Sequence, residues 1–160
     1  MPDAPVILMP GEGERIAVGG AASVMKAVAA STGGAFSMSE VTIAAGFPGP
    51  PLHLHRHMTD SFFVLEGTLR VVAGGHEADL PPGGYALVPP GVPHTFSNPG
   101  DAPVRVLNLN SPGGWEGYLR DLAAAMPPDG PPDPEAFRRV FARYDVEAVE
   151  PGAPSSPAGP

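Results

Sequence analysis

The chain has 160 residues and a mass of 16.4 kDa, which is the size of one domain and too short for a catalytic domain joined to a separate DNA-reading one. A net charge of −8 with only 9 basic residues argues against a nucleic-acid or anionic-membrane partner, and no apolar run reaches membrane-spanning length. With no Cys in the sequence, disulfides, thiolate metal ligands, Cys nucleophiles and iron–sulfur clusters are excluded together.

In chain order, the start Met1-Pro2-Asp3-Ala4-Pro5 has no basic segment ahead of an apolar one, so a cytoplasmic protein is expected. The 21 Gly and 23 Pro fall mostly between short apolar runs, the arrangement of a β-rich domain with many turns. Residues 1–34 are read as N-terminal strands. Ala35–Ala44 alternates apolar and polar residues, and Leu52–His57 alternates His with other residues. Ser61–Leu65 is aromatic and β-branched, and Glu66-Gly67 turns it into Thr68–Val72. Turns at Ala73-Gly74-Gly75, Pro81–Gly84 and Pro89–Pro93 then separate His76–Leu80, Tyr85–Val88 and His94–Asn98, and Val104–Leu109 closes the series. Strands this short and evenly spaced predict an all-β sandwich or barrel core over residues 35–110. The period changes over residues 111–150. Trp115–Ala125 puts Trp115, Tyr118, Leu119 and Leu122 on one helical face. After a Pro-rich connection, Pro127–Pro134, a second helix over Pro134–Tyr144 puts Phe137, Val140, Phe141 and Tyr144 on another, with Asp133 as N-cap before Pro134. Residues 151–160 have little to bury and are expected to be disordered.

Three of the five His, at 53, 55 and 57, lie within five positions. On a strand, His53 and His55 project to the same side. Two neighbouring half-buried imidazoles each need a partner and cannot both carry charge cheaply, a conflict that a divalent metal resolves. Asp60 follows a short bend and can add a carboxylate. His94 lies on a later strand that a sheet closing on itself can bring opposite. The alternative for the pair alone is a polar strand face of satisfied histidines.

The two stretches resemble the two signature motifs of the cupin superfamily. The first runs Pro51-Leu52-His53-Leu54-His55-Arg56-His57-Met58-Thr59-Asp60 and on to Glu66-Gly67. The second motif (Gly, five residues, Pro-X-Gly, two residues, His, three residues, Asn) is matched at every position by Gly83, Pro89-Pro90-Gly91, His94 and Asn98, with residues 68–82 between the motifs. The phrase Ser111-Pro112-Gly113-Gly114-Trp115-Glu116 and the closing helices resemble bacterial single-domain cupins of the quercetin-dioxygenase-like type. The resemblance implies a single double-stranded β-helix (jelly-roll) barrel with C-terminal helices over one mouth. It implies His53, His55, His94 and Asp60 as metal ligands, and a homodimer in which Val6–Met9 is a candidate edge strand pairing across the interface. One departure stands out: Asp60 occupies the position of the family's ligand Glu and is one methylene shorter. His57 can compensate as ligand or pocket base, or else is a solvated loop residue.

An open three-His site is a catalytic rather than a closed structural arrangement, and nitrogen and carboxylate donors suit Fe, Mn, Ni, Co, Cu or Zn. Phe36, Met38, Phe62, Val64, Leu87 and Phe96 are expected to line or underlie the cavity, subject to strand parity. The reading that follows is a metal-dependent enzyme acting on a small organic, aromatic or polyketide-like substrate, most simply an oxygenase, with His57 or Asp60 moving a proton. The alternatives are a non-redox cyclase, isomerase or decarboxylase using the metal as a Lewis acid, and a non-catalytic binding module.

Overall fold

The computed structural model describes residues 4–126 and 133–150, so most of the Pro-rich connection and the expected disordered tail, 151–160, lie outside the described residues. Eleven strands and three helices follow in the order β1 Arg15–Val18, β2 Ala21–Ala27, α1 Ala29–Thr32, β3 Ser37–Ile43, β4 His53–Leu54, β5 Thr59–Glu66, β6 Leu69–Ala73, β7 His76–Leu80, β8 Tyr85–Val88, β9 His94–Ser97, β10 Val104–Ser111, α2 Trp115–Ala125, α3 Pro134–Arg143 and β11 Glu147–Ala148. They form two sheets, of order β1-β2-β3-β10-β5-β8 and β11-β4-β9-β6-β7, and every described pairing is antiparallel. The all-β expectation with C-terminal helices therefore holds.

The period-2 pattern explains how the sheets close on each other. On β10, Val104, Val106, Asn108 and Asn110 are buried and the residues between them are half-exposed. Val104 and Val106 join Val41 and Ile43 of β3, Phe62 and Val64 of β5, and Leu69 and Val71 of β6 in the core between the sheets. Each such side chain stabilises the fold by about 1.5–3 kcal/mol on burial. Further along the same inward faces the chain turns polar, at Asn108, Asn110, Ser37 and Ser39. That end of the barrel is where the histidines collect.

The C-terminal helices cover this end. Tyr118 and Leu122 of α2 and Val140 of α3 form a second cluster, with Val18 of β1 packed against it. The Asp133 carboxylate accepts the Glu135 N–H at 2.9 Å, with Pro134 at the first helical position, as the sequence predicts. Buried Glu116 ties α2 to the sheet: it accepts the Ser37 hydroxyl at 2.5 Å and the Ala29 N–H at the start of α1 at 2.9 Å. Burial alone would raise the Glu116 pKa, but these hydrogen bonds outweigh it and hold the carboxylate below its usual range.

Two sequence expectations need correction. The strand expected over Leu52–His57 is regular only at His53–Leu54, because the chain beyond bonds elsewhere. The His55 carbonyl accepts the Gly91 N–H at 2.6 Å, and the following N–H groups turn to the C-terminal segment. Val6–Met9, the candidate edge strand of an interface, is exposed along its length and pairs with no strand among the described residues of its own chain. The short helix α1 was not foreseen; the Ser31 hydroxyl bonds both N–H and carbonyl of Val28 to start it, and Gly33 ends it at a φ of 61°.

Candidate metal centre

β4 lies between β9 and β11, so the register that pairs His53 with His94 also brings the two sequence motifs together. The three imidazoles of His53, His55 and His94 pack with ring centroids 4.5 Å apart for His53–His94 and 5.1 Å apart for the other two pairs. One ring nitrogen of each lies within 4.8 Å of the others, and all three side chains are buried.

Hydrogen bonding fixes which nitrogen is free. Nδ1 of His53 donates to the Pro51 carbonyl at 2.8 Å, Nδ1 of His55 to Asp145 at 2.5 Å, and Nδ1 of His94 to Val92 at 3.0 Å. A carbonyl only accepts, so the proton of each neutral ring sits on Nδ1 and the lone pair on Nε2. Nε2 of His55 is buried with no hydrogen-bond partner among the described residues. Nε2 of His94 lies 3.4 Å from Asp60 Oδ2. A cation set among these groups would give the orphaned His55 nitrogen its partner, so the donor set fits a divalent metal. Burial, reinforced by the neighbouring His94, pushes the His53 pKa down to about 4, and burial also lowers that of His55. Both rings are therefore neutral, ligand-competent bases at pH 7.

Asp60, the expected fourth ligand, lies next to the three histidines. Its Oδ1 accepts the amides of Asn108 at 2.6 Å and Asn110 at 2.9 Å, and its Oδ2 is 3.4 Å from His94 Nε2 and 3.9 Å from His55 Nε2. The two asparagines were missed in the sequence. The signal for them was there: the buried phase of β10 reads Val, Val, Asn, Asn, and a polar pair on an inward strand face needs a partner inside.

A cavity of about 130 Å³ opens between the barrel and the helical cap. His53, Asp60, Asn108 and Ser23 are the polar side chains of its wall, which otherwise consists of apolar residues and Tyr118. Trp115 of α2 belongs to the wall, stands edge-on to His55 at 5.2 Å and stacks on Tyr118 at 4.2 Å.

Of the six residues expected at the pocket, Phe62 and Phe96 line this cavity. Val64 is fully buried in the core beneath it. Phe36 and Met38 line a separate groove beside the N-terminal segment, and Leu87 is exposed on the outer face. The reason is parity: on β3 the inward residues are Ser37, Ser39, Val41 and Ile43, and on β8 Val88 is buried while Leu87 points out. His57 is exposed, away from the cavity wall, and contributes a backbone N–H to Asp145. Asn98 closes its motif structurally, donating to the carbonyls of Ala44 at 3.0 Å and Ala102 at 2.8 Å.

Comparison with known proteins places these features in context. Residues 39–110 match the family model described as Cupin domain. Quercetin 2,3-dioxygenase of Bacillus subtilis is 35% identical over 94 residues, covering 58% of this chain and 27% of that protein. A sugar phosphate isomerase of the cupin superfamily from Silicibacter pomeroyi superimposes with a TM-score of 0.50 at 27% identity, over 57% of this chain and 59% of that one. KdgF from Halomonas sp. superimposes with a TM-score of 0.62 at 20% identity, over 71% of this chain and 99% of that one, a likeness of fold. The chain thus spans about a quarter of the dioxygenase and three fifths of the isomerase.

Proposed function

Because the chain belongs to the cupin superfamily, and its histidines meet under a capped apolar cavity, we propose that it is a metal-dependent enzyme acting on a small aromatic or polyketide-like molecule, as a quercetin-dioxygenase-like oxygenase. The observation that carries this reading is the set of three imidazoles anchored through Nδ1 with Nε2 left free, meeting the cavity through His53. His53, His55 and His94 would hold the ion, with Asp60 beside them. The donor set suits Fe, Mn, Ni, Co, Cu or Zn. Such an ion supplies Lewis-acid activation of a substrate hydroxyl or carbonyl oxygen and, for a redox metal, access to O₂.

The chain's own residues set the substrate class. No Lys or Arg is among the residues of the wall, which disfavours phosphorylated or multiply anionic substrates. A cavity of about 130 Å³ takes about one ring, since a 150 Å³ cavity is known to hold benzene. A three-ring flavonol would require the helical cap to move. Asp60 is the group of the wall suited to accept a substrate proton: it is buried, its Oδ1 is held by two amides, and its Oδ2 is turned to the histidines. The same carboxylate supports the second reading, a non-redox cyclase, isomerase or decarboxylase, because proton transfer with a Lewis acid needs no O₂. Oxygen uptake by metal-loaded protein given a one-ring β-diketone or a flavonol tests the first reading. Turnover under strict anaerobiosis would overturn it in favour of the second.

We also read the protein as a cytoplasmic homodimer. Support for association comes from Phe63, Tyr85 and Leu87, which form an exposed apolar patch where β5 pairs with the edge strand β8, and from the exposed segment Val6–Met9.

A further inference from the structure

One residue 90 positions away makes four hydrogen bonds to His55 and the loop after it. The Asp145 carbonyl accepts the His55 Nδ1 proton at 2.5 Å. The Asp145 carboxylate accepts three consecutive backbone N–H groups, those of Arg56 at 2.6 Å, His57 at 2.8 Å and Met58 at 3.0 Å. The following residues continue the attachment. Glu147 takes the Arg56 guanidinium in two hydrogen bonds of 2.8 and 2.7 Å, Ala148 pairs with His53, and the Val149 N–H donates to the Leu52 carbonyl at 2.9 Å. At its other end the segment belongs to the helical cap: the Tyr144 hydroxyl donates to Asp121 of α2 at 2.8 Å, and Val146 packs with the cap cluster and lines the cavity.

We propose that Asp145 is a positioning residue for the metal-binding histidines, and that residues 144–149 form a strap coupling closure of the helical cap to occupancy of the three-His site. The proposal rests on the reading of His53, His55 and His94 as a metal site. Two physical consequences follow from the contacts. The carbonyl of Asp145 fixes the His55 proton on Nδ1 and so keeps Nε2, the buried atom without a partner among the described residues, available as a donor. The carboxylate holds the chain just beyond His55 in the course that orients the ring, using three N–H groups that the end of β4 leaves free. Binding energies are reciprocal, so a strap that favours the ion is itself held down by the ion to the same degree.

The test uses Co²⁺ as probe on the full chain. Calorimetry gives its affinity for wild type, Asp145→Ala, Asp145→Asn and, as a surface control, Asp79→Asn, which only loosens a pair with Arg70. Folding of each variant is checked by circular dichroism. Hydrogen exchange of residues 144–149 is followed with and without Co²⁺, and the visible Co²⁺ spectrum reports ligand geometry. Asp145→Ala is expected to weaken binding about 10–100-fold and to alter the spectrum. Asp145→Asn, which keeps one acceptor oxygen, should fall between it and wild type, and Asp79→Asn should match wild type. Co²⁺ should slow exchange of the strap in wild type. If wild type binds Co²⁺ but Asp145→Ala binds it equally well, or the strap exchanges alike with and without the ion, the strap proposal falls alone. Should folded wild type bind no Co²⁺, the three-His reading fails and takes the proposal with it. If Asp145→Ala does not fold, Asp145→Asn and the exchange data decide.

Discussion

Asp60 is one methylene shorter than the glutamate that the cupin resemblance implies at this position, and two amides hold its carboxylate. Asn108 and Asn110 occupy Oδ1, so the carboxylate is held back with Oδ2 turned to His94. In Asp60→Asn the two amides still find an oxygen, and the new NH₂ then faces His94 Nε2 and competes for its lone pair. Calorimetry should show metal affinity reduced about tenfold or more, which is 1.4 kcal/mol or above. Asp60→Glu adds reach and should bind metal more tightly than wild type; weaker binding would contradict the placement of the carboxylate.

His53 makes the metal-free protein acid-sensitive. The unfolded imidazole takes up a proton near pH 6.5, whereas the buried one resists until about 4. Between these values the unfolded state binds more protons, so stability falls as pH falls; above 6.5 both states are neutral and His53 contributes nothing. Urea unfolding of chelator-treated protein should show about 2 kcal/mol less stability at pH 5 than at pH 7 from this residue, with His55 acting in the same direction. A profile flat over that range would contradict the burial of these rings. At this scale His53, His55 and Asp60 were legible in the sequence because their spacing is local, and His94 because it sits in a second motif of fixed spacing. Asp145 was not, because its contacts with residues 55–58 exist only after the chain has closed on itself.

At the scale of elements, even spacing and Gly-Pro punctuation predicted most strands to within two residues, and the aromatic stripes of α2 and α3 landed on the faces that pack. Strand parity was less accessible. On β3 the inward phase is Ser37, Ser39, Val41, Ile43, so the serines hide the hydrophobic signal while Phe36 and Met38 imitate it on the other phase. Ser37 meets Glu116 of α2, a contact that no local pattern records. Parity is testable on this one strand. Ile43→Ala, at a fully buried site, should cost about 2–5 kcal/mol in urea unfolding, whereas Met38→Ala should cost about 1 kcal/mol. Equal costs would contradict the assignment of faces.

For the whole molecule, the barrel supplies the histidines and the C-terminal segment supplies the roof. Neither part contains the complete cavity, since its wall draws on β1 to β3, β5 and β10 as well as on α2, α3 and β11. The exposed apolar patch at Phe63, Tyr85 and Leu87 shares no residue with the cavity wall, so the proposed association would leave the cavity lining untouched. Light scattering should give a mass near twice 16.4 kDa, and Leu87→Glu should return it to that of one chain. A wild-type mass of one chain at micromolar concentration would contradict the dimer.

The most direct measurement is elemental analysis of untagged protein purified without chelator, wild type beside His94→Ala. The account predicts close to one equivalent of a transition metal per chain in the wild type and near-complete loss in the folded variant. Equal metal content in the two, or a wild type that neither carries nor takes up a divalent ion, would contradict it.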